Sequence, residues 1–149
     1  MNFKNILCPV DFSMNAEAGL LFAEKLAKES DAKLHLVYVY EEPQSYVDAG
    51  FGGYVVPADL ESEKKRLQAV VPNTPGIAYE HGFIVGLPAE ELVRYAREHA
   101  IDLIVMGTHG RTGLGRLLMG SVAESVVREA PCPVLTIKQP AEVPAKSSD

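Results

Sequence analysis

The chain has 149 residues, 47% of them hydrophobic and 23% charged, which suits one globular domain with a sizeable core. Its formal net charge of −6 supplies no basic field for a polyanion, so nucleic acid is not an expected partner and any bound anion needs locally arranged donors. Two cysteines make no disulfide framework, no apolar run reaches membrane-spanning length, and Met1-Asn2-Phe3-Lys4-Asn5 enters Ile6-Leu7 without a signal-like region, so a reduced, cytoplasmic setting away from membranes is expected.

Five apolar runs alternate with helix-like segments. The first, Asn5–Val10, contains Pro9, which costs a ladder bond in a central strand and is tolerable only where the strand is already leaving its neighbour. Asn15–Ser30 carries Ala18, Leu21, Phe22 and Leu26 at helical spacing, with Ser13 as N-cap. Lys33–Tyr40 is almost continuously apolar, as a strand buried on both faces should be. The stretch Glu41–Pro57 has three glycines and no period; it is long for a plain connection and reads as a surface insertion or as a flap over a crevice. Asp59–Val71 is a charged helix with Leu60, Leu67, Val70 and Val71 as its apolar positions. After the strand Ile77–Val85, Pro88 stands where a first helical turn accepts proline, ahead of Ala89, Leu92, Val93 and Ala96. The strand Asp102–Met106 follows. Ser121 with Glu124 three residues later spells a capping box for the next helix, and Val134–Lys138 is the last strand. Residues 1–138 form one domain; the polar, proline-containing Gln139–Asp149 is expected to be a disordered tail.

This alternation predicts a parallel sheet with helices on both faces. The ligand crevice of such a sheet lies beyond the carboxyl ends of its strands, where Pro9-Val10-Asp11, Val39-Tyr40 and Met106-Gly107 all finish. One stretch at that edge is distinctive: Gly107, two residues, Gly110, nine residues, then Gly120-Ser121-Val122. A strand ends in glycines that open onto a helix N-terminus, a geometry whose backbone N–H groups bind anions. Arg111 and Arg116, inside the spacer, are candidates to balance phosphate charge, although solvated arginines are the commoner outcome. His109 has no catalytic partner in sequence, and His35, His81 and His99 have no metal spacing. The Walker lysine loop, the dinucleotide Gly-x-Gly-x-x-Gly and the Gly-x-Ser-x-Gly elbow are all missing.

Asp11 after the first strand, Val39 near the end of the second, Gly86-Leu87-Pro88 before the third helix and the Gly107–Ser121 pattern together resemble the universal stress protein family, over about Lys4 to Lys138. The unbroken glycine pattern resembles its ATP-binding group. The resemblance implies a doubly wound five-stranded parallel sheet in order 3-2-1-4-5, of the adenine-nucleotide alpha-hydrolase-like kind. It implies ATP, with AMP or ADP as alternatives, and Mg²⁺ carried on the phosphates with Asp11 as a candidate ligand. By the same resemblance Gly107, Gly110, Gly120 and Ser121 hold ribose and phosphates, with Ser121 either bonding a phosphate or only capping its helix. Val122 offers its N–H the same way and Arg111 a charge. Val39 offers backbone groups to adenine, and Pro9 and Met106 offer apolar contact. A homodimer through Val134, Leu135, Thr136 and Ile137 is implied as well. The function expected is a nucleotide-binding stress-response regulator with an unidentified protein partner, slow or no ATP hydrolysis and no catalytic residues. The alternatives are an adenylyl-transfer or ATP-hydrolysing enzyme on the same fold, or a module binding AMP or another adenosine ligand. The first of these lacks a glycine loop at Pro9-Val10-Asp11-Phe12-Ser13.

Overall fold

The computed structural model describes residues 2–41, 60–108 and 119–138. Five strands, β1 (Asn5–Pro9), β2 (Lys33–Tyr40), β3 (Tyr79–Val85), β4 (Leu103–Gly107) and β5 (Val134–Ile137), pair in the order β3-β2-β1-β4-β5, all parallel. Between them run α1 (Met14–Ser30), α2 (Leu60–Gln68), α3 (Pro88–Glu98) and α4 (Ser121–Glu129). The expected fold and strand order are the ones adopted. The Glu41–Pro57 stretch beyond Glu41, the motif residues Gly110 and Arg111, and the Gln139–Asp149 tail lie outside the described residues.

The two-residue alternation of the strands divides the interior into two cores. Ile6, Cys8, Leu34, Leu36 and Val105 face α1 and α2, meeting Leu20, Ala23, Ala27 and Leu67. Leu7, Val37, Ile104 and Met106 face the other way, onto Leu92, Tyr95 and Ala96 of α3 and Ala123 and Val126 of α4. α1 starts as the sequence indicates: Ser13 Oγ accepts the Ala16 N–H at 3.1 Å. It ends on Asp31 in the left-handed region (φ 57°), with the Ala32 N–H donating to the Ala27 carbonyl. One buried carboxylate ties α1 to the turn before β3. Glu24 accepts the N–H groups of Asn73 and Thr74, the Asn73 amide and the Thr74 hydroxyl at 3.0–3.3 Å.

The capping box expected at Ser121 does not form. Gly120, with extended backbone (φ −65°, ψ 159°), is the N-cap, and its carbonyl accepts the Glu124 N–H at 3.0 Å. The helix therefore starts one residue earlier, Ser121 is its first full helical residue, and the Ser–Glu spacing falls out of capping register.

Candidate nucleotide site at the β1–β4 parting

β1 and β4 are joined by only two register pairs, Ile6 with Leu103 and Leu7 with Ile104. β1 then continues along β2 as far as the pair Pro9–Val37, while β4 continues along β5 to Gly107–Ile137. The sheet thus splits at its carboxyl edge between the two central strands, where strand order reverses. Pro9 explains part of the split. Val10 donates to the Val37 carbonyl at 2.8 Å and the Asn5 carbonyl accepts from Asp102, so odd-numbered positions of β1 turn their peptide groups towards β4. The missing N–H of Pro9 falls on the β4 side, past the last β1–β4 pair, where it costs no ladder bond.

The same parity locates Val39. Lys33 donates to Lys4 and Val37 accepts from Val10, both across to β1, so Val39 turns its N–H and C=O to that side, one step beyond the last β1 pair. Val39 and Met106 belong to one buried cluster on the α3–α4 face, and Pro9 is half-buried at the lip of β1. Gly107 ends β4 beneath α1. A Cβ built on Gly19 would stand 3.4 Å from the Gly107 nitrogen, so the helix lies directly on the strand end.

Both ends of the glycine-rich segment are drawn together. The Gly120 N–H donates to the Thr108 carbonyl at 2.7 Å, and the Thr108 N–H donates to the Ile137 carbonyl at 3.2 Å. This latch sets the first turn of α4, with Ser121 and Val122, next to the end of β4. The first-turn N–H groups of an α-helix have no intrahelical partner and carry the positive end of its dipole. Among the described residues the Ser121 hydroxyl makes no hydrogen bond, since capping falls to Gly120. Of the sequence-selected residues, Gly107, Gly120, Ser121 and Val122 are brought to β4's end, and Pro9, Val39 and Met106 border the parting. Gly110 and Arg111 lie outside the described residues.

Asp11 stands just past β1. Its Oδ1 accepts both the N–H and the hydroxyl of Ser13, forming the turn that launches α1. Phe12, inside that turn, has φ 63°, a left-handed conformation rare for a bulky residue. It is clamped between the Tyr38 ring (centroids 4.9 Å apart) and the Arg66 guanidinium (4.0 Å), while the Tyr38 hydroxyl donates to Glu63 at 2.7 Å. Phe12 and the Thr108 carbonyl were invisible in the sequence: one role depends on an unusual backbone angle, the other on a main-chain oxygen. Cys8 is buried under the site, and burial, reinforced by Glu24 and Asp11, pushes its thiol up to about 12. It is a small protonated hydrophobe, as its apolar neighbours suggest, whereas Cys132 is only half-buried. Among the described residues no group of three or more His, Cys, Asp or Glu could hold a metal, and no helix is long and apolar enough to cross a membrane.

Residues 2–138 match the universal stress protein family. A universal stress protein of Methanocaldococcus jannaschii is 36% identical over 143 residues, covering 93% of this chain and 84% of that protein. The Archaeoglobus fulgidus universal stress protein solved in complex with dAMP superimposes with a TM-score of 0.67 at 28% identity, covering 93% of this chain and all of that one (100%). A universal stress protein solved in complex with cAMP gives 0.61 at 26%, covering 92% and 98%. The family match takes in every described residue and a relative is 36% identical over most of its length, so the chain belongs to the universal stress protein family.

Proposed function

We propose that this protein is a nucleotide-binding stress regulator that holds an adenine nucleotide, ATP foremost, across the β1–β4 parting. The observation that carries the reading is the latch from Gly120 to Thr108, which puts the open first turn of α4 and the unengaged Ser121 hydroxyl beside the end of β4. In this reading the phosphates lie on Gly107, Gly110, Gly120, Ser121 and Val122, with Arg111 adding charge. Adenine meets the Val39 peptide groups between Pro9 and Met106. Asp11 approaches the adenosine or a metal. Mg²⁺ rides mainly on the phosphates, because Asp11 is one carboxylate already shared with Ser13. Hydrolysis is slow or absent, no catalytic residue is assigned, and the protein acts in the cytoplasm through nucleotide-dependent contact with a protein partner. The chain works as a homodimer through Val134–Ile137, the edge strand of the sheet.

An adenosine monophosphate as the resident ligand is the second reading, favoured by the dAMP and cAMP complexes of the two relatives. Acid extraction of protein purified without added nucleotide, followed by mass identification, separates the two. Calorimetric titration with ATP and with AMP, both with Mg²⁺, completes the test, using Gly110→Val as the control. Co-purified ATP, or ATP binding lost in Gly110→Val, supports the first reading. Preferential AMP binding supports the second, and no binding of either overturns both.

A further inference from the structure

At the amino end of the sheet, away from the nucleotide edge, four elements converge on one imidazole. His35 of β2 is 3% exposed. Its Nε2 lies 3.0 Å from Asn5 Oδ1 on β1, and its Nδ1 lies 2.8 Å from the Tyr95 hydroxyl on α3. The same hydroxyl is 3.4 Å from Glu80 Oε2 on β3, and that oxygen is 3.6 Å from His35 Nδ1. An amide oxygen only accepts, so Nε2 bears the proton of the neutral ring and Nδ1 accepts from Tyr95. Tyr95 therefore has one hydroxyl proton and two acceptors competing for it.

We propose that His35, Tyr95 and Glu80 form a proton relay that switches this end of the sheet between two hydrogen-bond arrangements. A solvent proton reaching Glu80 passes to the Tyr95 oxygen as the tyrosine's own proton moves to His35 Nδ1. The imidazolium then donates to both Asn5 Oδ1 and the Tyr95 oxygen, and the new Tyr95 O–H points at Glu80, which is again a carboxylate. One proton has been taken up, and α3 has exchanged its role as donor to β2 for that of donor to β3.

The surroundings set the resting state. The groups facing His35 are Glu80 from β3, Lys33 from its own strand, and Tyr95 of α3 with His99 just past that helix, whose rings stack 3.7 Å apart. β1 presents the neutral Asn5 amide, whose backbone N–H is held by Asp102. Burial holds His35 below its ordinary value, against the pull of Glu80 and with help from Lys33 and His99. The hydrogen bond from Lys33 keeps Glu80 ionised, and burial pushes the Tyr95 phenol up, so it keeps its proton. At neutral pH the relay rests with a neutral imidazole, a protonated tyrosine and a charged glutamate.

Long-range ¹H–¹⁵N NMR of the full chain, titrated over roughly pH 4 to 8, tests this through the tautomer and midpoint of His35. The expected results are the Nε2–H tautomer at neutral pH and a midpoint that falls by about half a pH unit or more in Glu80→Gln. In a Tyr95→Phe background the Glu80→Gln effect should shrink at least by about half, because the route through the hydroxyl is gone. An equal effect in both backgrounds would mean charge acting through space alone and would overturn the relay, as would an Nδ1–H tautomer at neutral pH. Should Tyr95→Phe not fold, Lys33→Met serves instead. It removes a repelling cation and releases Glu80, so the His35 midpoint must rise, and an unchanged midpoint also overturns the proposal.

Discussion

Two serines stand at helix starts in this chain, and their hydroxyls have different duties. Ser13 caps α1 by accepting from Ala16 while donating to Asp11. Ser121 sits one place inside α4 and caps nothing. Ser13→Ala should therefore lower stability by about 1 kcal/mol in urea denaturation, whereas Ser121→Ala should leave the midpoint in place. If Ser121 meets a phosphate, its loss should weaken nucleotide binding roughly 3- to 10-fold by calorimetry. The two serines were not equally legible in the sequence. Ser13 precedes a long helical segment, although its buried face is Leu20, Ala23 and Ala27 while Leu21 and Phe22 are exposed; Gly120 and Ser121 are both good caps, and a main-chain bond to Thr108 decides between them. Ala100 is a different case: it holds φ 53° just after α3, a conformation an L-residue pays for and glycine does not. Ala100→Gly should raise stability by roughly 0.5–1 kcal/mol in the same assay.

At the scale of elements, the joint between α1 and the turn before β3 rests on Glu24. This carboxylate is 2% exposed and satisfies two part-buried backbone N–H groups, which Glu24→Ala would leave without that acceptor. A loss of about 3 kcal/mol is expected in urea denaturation, with the turn at Asn73–Gly76 losing amide-exchange protection first. β5 offers a cleaner experiment. Pro133 and Ile137 direct their carbonyls at β4, so Val134 and Thr136 turn their peptide groups to the open edge. Thr136→Pro removes an outward N–H without touching the intrachain ladder. It should convert the proposed dimer to a folded monomer in light scattering at micromolar concentration; a dimer that survives would place the interface elsewhere. The strands and helices could be read from sequence because nearly continuous apolar runs, as in Lys33–Tyr40, alternate with longer segments of mixed polarity. The relay could not, since Asn5, His35, Glu80 and Tyr95 are distant in sequence and meet only through strand order and the facing of α3.

For the whole molecule, His35 supplies a pH signature. Its folded-state value lies below the ordinary 6.5, so the native state resists a proton that the unfolded chain accepts freely. The stability linked to the neutral ring is complete above about pH 6.5 and is lost as pH falls from there towards the folded-state value. Urea midpoints should decline over that interval before most carboxylates titrate, and His35→Gln should flatten the decline. Of the proposed nucleotide site, the glycine spacing and Asp11 were legible because particular residue types are needed there. The part proposed for Val39 is a main-chain one, and only ladder parity shows which way that main chain faces.

The short β1–β4 junction makes the sheet two plies, β3-β2-β1 and β4-β5, sewn by a brief seam. Asp102 fastens the seam at its lower end by accepting the N–H groups of Lys4 and Asn5, and α1 lies along it as a splint. Among the described residues the upper end carries no further β1–β4 pair. A nucleotide gripping Val39 on one ply and the start of α4 on the other would act as a clasp, turning chemical affinity into resistance to tearing. Pulled apart across this line, the loaded protein should yield at higher force than the empty one.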